Sequence, residues 1–266
     1  MASSAAALFS DARLGAHAVT ALPSLAGEAE GYAVQELLVS DGRFGALVGY
    51  KVGATNDGAK AAQSLSSPFS GPLFASARCA PGAAVSLASL GPSFKAAEAE
   101  FAFTLCAPLP PRPQAYSADE VWASVGSVCP AIELAVSRLV LPAGTAPTLP
   151  AILADSAWNG CFVLGEGVAA AELGKGEALV AARATLLCDD RVLGAETGAN
   201  VLGSPLASLV WLVNSLSARG LTLEAGHVVI SGAAVAAKGP FTGGEVLTAR
   251  FEGLGAPLEV SLRLLA

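Results

Sequence analysis

Apolar and polar positions alternate most regularly along FKAAEAEFAFTL, residues 94–105, and that alternation predicts a β-strand. Phe101, Phe103 and Leu105 fall on one face, while Ala96, Glu98, Glu100 and Ala102 fall on the other. PAIELAVSR, residues 130–138, repeats the pattern, with Ile132, Leu134 and Val136 on one face and Glu133, Ala135 and Ser137 on the other. The same reading predicts strands at 44–53, 83–88, 97–106, 131–138, 161–165, 178–188, 226–231, 245–251 and 257–264, punctuated by Pro-Gly, Asp-Asp and Gly-Gly pairs. Residues 1–40 read as helical, with Tyr32, Val34, Leu37 and Leu38 at near-helical spacing before Gly42. Further helices are expected at 117–127 and 205–219. In the second, Leu206, Leu209, Val210, Val213 and Leu216 form one stripe, Ser204 is the N-cap, Pro205 the first helical residue and Gly220 the stop. Residues 54–75, rich in Ser, Gly, Asn and Pro, read as a long loop of the kind that forms active-site lids.

Composition narrows what these elements can build. In 266 residues, 53% hydrophobic and 14% charged, a sizeable core is available, enough for one large domain with a smaller appendage. The net charge is −7 and the 15 basic residues are dispersed, which excludes nucleic acid and anionic membrane as partners. No apolar run approaches the roughly 20 residues of a spanning helix, and the N-terminus lacks the basic start and apolar core of a signal peptide. Cys79, Cys106, Cys129, Cys161 and Cys188 are widely spaced, form no Cys-x-x-Cys pattern, and read as buried free thiols of a reducing, cytoplasmic setting.

The acids change the picture. Glu98 and Glu100 point the same way, roughly 6–7 Å apart along a strand, with only small residues beside them. Solvated acids on an edge strand would be the plain alternative. A mostly apolar chain would hydrate the pair poorly, so a compensating cation is expected, and Glu133 offers a third carboxylate from a second strand. Oxygen ligands without histidine suit Mg²⁺ or Mn²⁺ and argue against zinc. Lys51, at the end of an apolar run, either snorkels to the surface or faces a site. Beside a metal its pKa would fall, making it an acid or base. Asp155 in ILADSAWNGCFVLG is either a turn former or a functional acid. The small residues of SGAAVAAKGPFTGGE, 231–245, bring backbone close to something, and its Lys238 reads as exposed. His17 and His227 lack partners at any useful spacing. Glycine-rich phosphate loops and a Gly-x-Ser-x-Gly elbow are absent from the sequence.

GYKVGATN, SGPLFAS, AEAEFAFTL, PAIELAVSR, LADSAWNGCFVLG, LGSPLASLVWLVNSL and LEAGHVVISGAA, in that order, cover most of residues 44–255. Together they resemble the fumarylacetoacetate hydrolase superfamily, closest to its 2-keto-4-pentenoate (2-hydroxypentadienoate) hydratase and 4-oxalocrotonate decarboxylase branch. The resemblance implies an α+β fold: a rolled, mixed β-sheet catalytic domain over 76–266 and a smaller, partly helical N-terminal and lid portion over 1–75. It implies a divalent metal, Mg²⁺ or Mn²⁺, on Glu98, Glu100 and Glu133, with Lys51 and Asp155 as catalytic residues. It also implies substrate contacts at Leu73, Ser76 and Trp158, and an oligomeric assembly, either of this chain alone or together with a related decarboxylase or hydratase.

The chain departs from the branch pattern at several points. Leu73-Phe74-Ala75-Ser76 stands where Leu-Phe-Ala-Asp is common, and Asp155-Ser156-Ala157-Trp158 stands for Asp-Asn-Ala-Ser. Ser204 and His227 replace a histidine and an aspartate. The implied activity is hydration of a 2-hydroxy-dienoate or 2-oxo-enoate acid of an aromatic meta-cleavage type pathway, through an enolate. The alternatives are decarboxylation of a 2-oxo acid and a non-catalytic partner subunit.

Overall fold

The computed structural model describes residues 1–15, 17–62, 65–91 and 93–266. Two helices open the chain, α1 (Ala2–Gly15) and α2 (Glu28–Asp41). Then come β1 (Leu47–Gly53), α3 (Asp57–Ala62), β2 (Phe69–Phe74), β3 (Arg78–Cys79), β4 (Ala84–Ser86) and β5 (Ser93–Leu105). The middle of the chain supplies α4 (Ala118–Ala123), β6 (Val125–Ser137), α5 (Leu149–Ala154), β7 (Asn159–Leu164), β8 (Val168–Ala169) and α6 (Ala178–Ala181). It ends with β9 (Arg183–Cys188), β10 (Arg191–Thr197), α7 (Pro205–Ala218), β11 (Val228–Ala237), β12 (Val246–Glu252) and β13 (Leu258–Leu265).

The larger sheet runs β2-β1-β11-β5-β6-β7-β3, with β8 on β6, and the smaller runs β10-β9-β12-β13-β4. β1 pairs with β11 and β3 with β7 in parallel; β5 is antiparallel to both neighbours, so the sheet is mixed. The main core lies between the sheets: Phe101, Phe103, Ile132 and Leu134 pack with Leu186, Leu247, Phe251 and Leu262. Phe101 meets Phe251 edge to face, centroids 4.7 Å apart. Each such side chain contributes about 1.5–3 kcal/mol on burial. One face of β5 and β6 is thereby committed to packing, which turns the acid face the other way. On that second face Leu73, Ala102, Ala131, Phe162 and Ile230 form an apolar floor beyond the acids. A satellite cluster of Phe9, Val34, Leu38, Phe74, Leu139 and Ala151 fastens α1 and α2 to the sheet.

The expected caps form. Gly42 closes α2 at φ 75°, and the Ser204 hydroxyl accepts a hydrogen bond from the Leu206 N–H with Pro205 at the first helical position. The α+β architecture, the mixed sheet and the helical N-terminus also appear as expected. Several boundaries differ. Residues 54–75 are not a loop: they contain α3 and the fully buried strand β2, whose Gly71 and Pro72 obscure its strand character. Gln63 and Ser64 of the expected lid, and Ala16 of the N-terminal helices, lie outside the described residues. Because β1 and β2 belong to the large sheet, residues 1–75 do not stand apart from the rest.

The expected 178–188 strand is split into α6 and β9, and the helix at 117–127 yields to β6 at Val125. In α7 the buried stripe runs Ser208, Leu209, Leu212, Val213 and Leu216, leaving Leu206 and Val210 half-buried. The 21-residue stretch Gly198–Ala218, mean hydropathy 1.4, is long and apolar enough to cross a membrane, contrary to the sequence expectation. Its helical part instead packs Leu209, Leu212, Val213 and Leu216 into the main core. All five cysteines are free; Cys129, Cys161 and Cys188 are buried, but Cys79 is half-buried and Cys106 exposed.

Candidate metal centre

Strand register brings the three acids together. Glu98 and Glu133 are direct cross-strand partners on β5 and β6, and Glu100 follows two residues along the same face. One carboxylate oxygen from each of Glu98, Glu100 and Glu133 lies within 4.8 Å of the others. Glu100 and Glu133 are fully buried; Glu98 opens towards a cavity. Glu100 Oε2 accepts a 2.6 Å hydrogen bond from the Gly232 N–H, while its Oε1 has no partner. Glu133 Oε1 accepts from Asn159 Nδ2 at 3.0 Å. Its Oε2 is 3.0 Å from Lys51 Nζ, close enough for an ion pair but out of alignment for a hydrogen bond. Glu100 Oε1 is therefore buried with no donor at all, and Glu133 Oε2 has only the Lys51 ammonium beside it.

The arrangement fits a divalent cation. With all three carboxylates ionised, they and the Lys51 ammonium carry a net charge of −2 in a site of low polarity. The donors are all hard oxygens, the set that Mg²⁺ and Mn²⁺ prefer. Burial pushes the Glu98 carboxyl up to about 7, Lys51 opposing and Glu133 reinforcing the rise. Glu100 is raised as well, by burial and by the charges of Glu133 and Glu98. Both shifts run in the direction that a bound cation would oppose.

Lys51 sits inside β1, paired in register with Ile230, and is almost fully buried. Its Nζ donates to the Ala157 carbonyl at 3.2 Å. Burial alone would lower its pKa, but Glu133, Glu98 and Glu100 outweigh that and raise it above the ordinary lysine value. The protein's own carboxylates hold Lys51 protonated; the lowered value expected beside a metal concerns the cation-bound site.

The Ala157 carbonyl is aimed by an unusual turn. Ser156, Ala157 and Trp158 all have positive φ, at 52°, 54° and 62°, conformations that cost non-glycine residues about 1 kcal/mol or more each. Gly71 makes room, since a Cβ there would stand 2.5 Å from the Ser156 carbonyl oxygen and 2.6 Å from Ala157 Cβ.

Asp155 lies outside the acid cluster. Its Oδ1 pairs with an Arg138 terminal nitrogen at 3.0 Å, and its Oδ2 accepts from the Arg138 backbone N–H at 2.7 Å. Burial raises its pKa against the pull of Arg138. Arg138 also donates to the Asn159 carbonyl at 2.7 Å, and Arg13 of α1 grips both the carbonyl and the side-chain oxygen of Asn159. Asp155, Arg138 and Arg13 thus act on Glu133 through Asn159. Arg138 and Asn159 lie inside the quoted segments but carry no local signal of their role, and Arg13 lies outside them; the contacts of all three span distant stretches of the chain. The sequence did flag the small-residue segment that contains Gly232.

A cavity of about 410 Å³ opens over Glu98, lined also by Lys51, Phe69, Lys95, Trp158 and Lys238. Of the expected substrate contacts only Trp158 is on its wall. Leu73 is fully buried in the apolar floor, because its side chain points into the sheet interior. Ser76 is exposed and lines a different cavity with Arg13, Arg43 and Arg138, because the chain has turned away after β2.

No family model matches the chain. It is 33% identical over 215 residues to a 2-keto-4-pentenoate hydratase of Burkholderia vietnamiensis, covering 79% of this chain and 76% of that protein. The structure is similar to 4-oxalocrotonate decarboxylase from Pseudomonas putida G7 complexed with magnesium and adipate: TM-score 0.85, 26% identity, 98% of this chain and 96% of that one. A fumarylpyruvate hydrolase from Pseudomonas aeruginosa, complexed with Mn²⁺ and pyruvate, shares the fold at TM-score 0.56 and 18% identity, over 81% of this chain and 88% of that one.

Proposed function

The chain belongs to the 2-keto-4-pentenoate hydratase family of the fumarylacetoacetate hydrolase superfamily, and from that premise we propose that it is a divalent-metal-dependent lyase that hydrates a 2-hydroxy-dienoate or 2-oxo-enoate acid of an aromatic meta-cleavage type pathway. The observation that carries this reading is the buried cluster of Glu98, Glu100 and Glu133, with Glu100 Oε1 unpartnered and Lys51 Nζ 3.0 Å from Glu133 Oε2.

Glu98, Glu100 and Glu133 would hold Mg²⁺ or Mn²⁺, which supplies Lewis acidity to an α-oxo acid. Asn159 fixes the Glu133 carboxylate, and the Gly232 N–H fixes that of Glu100, so neither must reorganise during a turnover. Lys51 Nζ carries the proton. The surrounding carboxylates keep it charged, and the Ala157 carbonyl fixes its direction, so it serves as the acid that protonates a carbon of the substrate. Asp155 belongs to this machinery as a positioning residue acting through Arg138 and Asn159. Phe69 and Trp158 line the cavity with apolar surface.

A second reading, decarboxylation of a 2-oxo acid, is favoured by the fold match to the decarboxylase over nearly the whole chain. Assembly into a homo-oligomer, association with a related decarboxylase or hydratase, and a cytoplasmic setting go with the same proposal. Leu8, Leu14 and Leu37, exposed on the N-terminal helices, support self-association. The test is turnover of a panel of 2-oxo and 2-hydroxy-dienoic acids by purified protein with Mg²⁺ or Mn²⁺. Loss of dienoate ultraviolet absorbance without CO₂ release identifies the hydratase, and CO₂ release identifies the decarboxylase. Failure to turn over any acid of the panel refutes the enzymatic reading.

A further inference from the structure

The cavity that Ser76 lines is separate from the one over Glu98: the two share no lining residue. It measures about 410 Å³, within the range of small-molecule sites. Arg13, Arg43 and Arg138 stand on its wall, and no carboxylate does among the described residues. The three guanidiniums are matched unequally. Arg43 pairs with Asp41 and Asp11, and Arg138 with Asp155. Arg13, half-buried, forms no ion pair among the described residues. Its guanidinium lies over the rings of Phe44 and Phe74, 5.6 and 5.1 Å from their centroids. Its Nη1 and the Nη2 of Arg138 donate to the same Asn159 carbonyl, at 3.1 and 2.7 Å. Two cations thus converge on one neutral oxygen, and Asp155, bonded to Arg138 through both its oxygens, has to serve both. Burial and the charge of Arg138 lower the Arg13 pKa. Such a pair of like charges is costly away from water unless a further anion joins it.

Ser76 sharpens the imbalance. It stands where aspartate is common in the branch, and its backbone N–H donates to the Phe44 carbonyl at 3.3 Å, on the residue whose ring lies under Arg13. An aspartate here would add a carboxylate to the arginine wall; the serine leaves that charge to be supplied from outside. Ser86 and Ser89 add hydroxyl groups to the same wall. We propose that this cavity is an oxyanion-binding site, separate from the metal centre, where Arg13 and Arg138 hold the carboxylate or phosphate group of a small ligand. A guanidinium presents its donors as a planar fork that matches either group. The site does not depend on the metal-centred reading of the acid cluster.

The test is calorimetric titration of full-length, Mg²⁺-loaded protein with inorganic phosphate and, separately, with succinate, at fixed ionic strength. Ser76→Asp places the missing charge within the chain. The position is exposed, so the variant should fold, which circular dichroism checks. It should bind the preferred anion about tenfold more weakly than wild type, the worth of one charge-assisted hydrogen bond. Arg13→Gln should weaken the same anion to a similar extent. Any binding of the probes at the metal lies in the other cavity, so Ser76→Asp leaves it in place and the difference between the two proteins reports on the arginine wall alone. A difference confined to phosphate identifies a phosphorylated ligand, and one confined to succinate identifies a carboxylate. The proposal is overturned if neither anion binds wild type, or if Ser76→Asp and Arg13→Gln leave both affinities unchanged.

Discussion

The two walls of the pocket position their groups by opposite means. On one wall, Glu98, Glu100 and Glu133 stand on paired central strands whose far face is locked into the main core. Their placement follows from register, and moving one would mean slipping a strand. On the other wall, Ser156-Ala157-Trp158 is a left-handed turn of three non-glycine residues, held in a costly conformation by what surrounds it. The first wall is fixed by many hydrogen bonds that would form whatever the site did. The second is admitted by Gly71 and held by Lys51 on its central carbonyl and by Arg138 on its flanks. The acid cluster sits on the rigid wall, and the Ala157 carbonyl that meets Lys51 and the Trp158 indole that lines the cavity sit on the strained one.

The largest effect that would sharpen this contrast comes from Lys51, the link between the walls. Lys51→Met should lower kcat by about a hundredfold or more, while cation affinity stays equal or rises because a positive charge leaves the cluster. A parallel loss of metal binding would show that Lys51 holds the acids in place. Next comes Asn159, which ties Glu133 to Arg138 and Arg13. Asn159→Ala should weaken Mn²⁺ binding by about 10–100-fold, as is usual for a group that orients a metal ligand. Unchanged affinity in a titration would break the proposed relay. Gly71→Ala is aimed at the turn alone. The added methyl should cost about 1–3 kcal/mol of stability in chemical denaturation and leave the acid cluster able to bind its cation. If it is tolerated without cost, the turn is not held by this contact.

The same contrast explains what could be read from the chain. The acids were legible because a strand's two-residue period sorts Glu98, Glu100 and Glu133 onto one face without knowledge of the fold. That Glu98 and Glu133 are direct partners depends on the pairing of distant strands, which no local pattern encodes. The helix α7 announced itself through Ser204 and Pro205. The strand β2 did not, because Gly71 and Pro72 read as loop residues; their value lies in close packing that only the folded sheet reveals. The turn at 156–158 was hidden for a similar reason, since nothing in Ser-Ala-Trp favours left-handed backbone. The catalytic role of Asp155 was implied by the resemblance alone; its pairing with Arg138, 17 residues away on another element, has no local signal. Arg13 reaches Asn159 across 146 residues, beyond any motif.

The central claim is that Glu98, Glu100 and Glu133 form a single divalent-cation site. Titration of Mn²⁺ into metal-stripped protein, followed by calorimetry, tests it most directly when run on wild type and on the Glu98→Ala/Glu100→Ala variant. The account predicts one cation per chain in wild type and loss of measurable binding in the variant, with the variant still folded by circular dichroism. A variant that binds Mn²⁺ with unchanged affinity would contradict it.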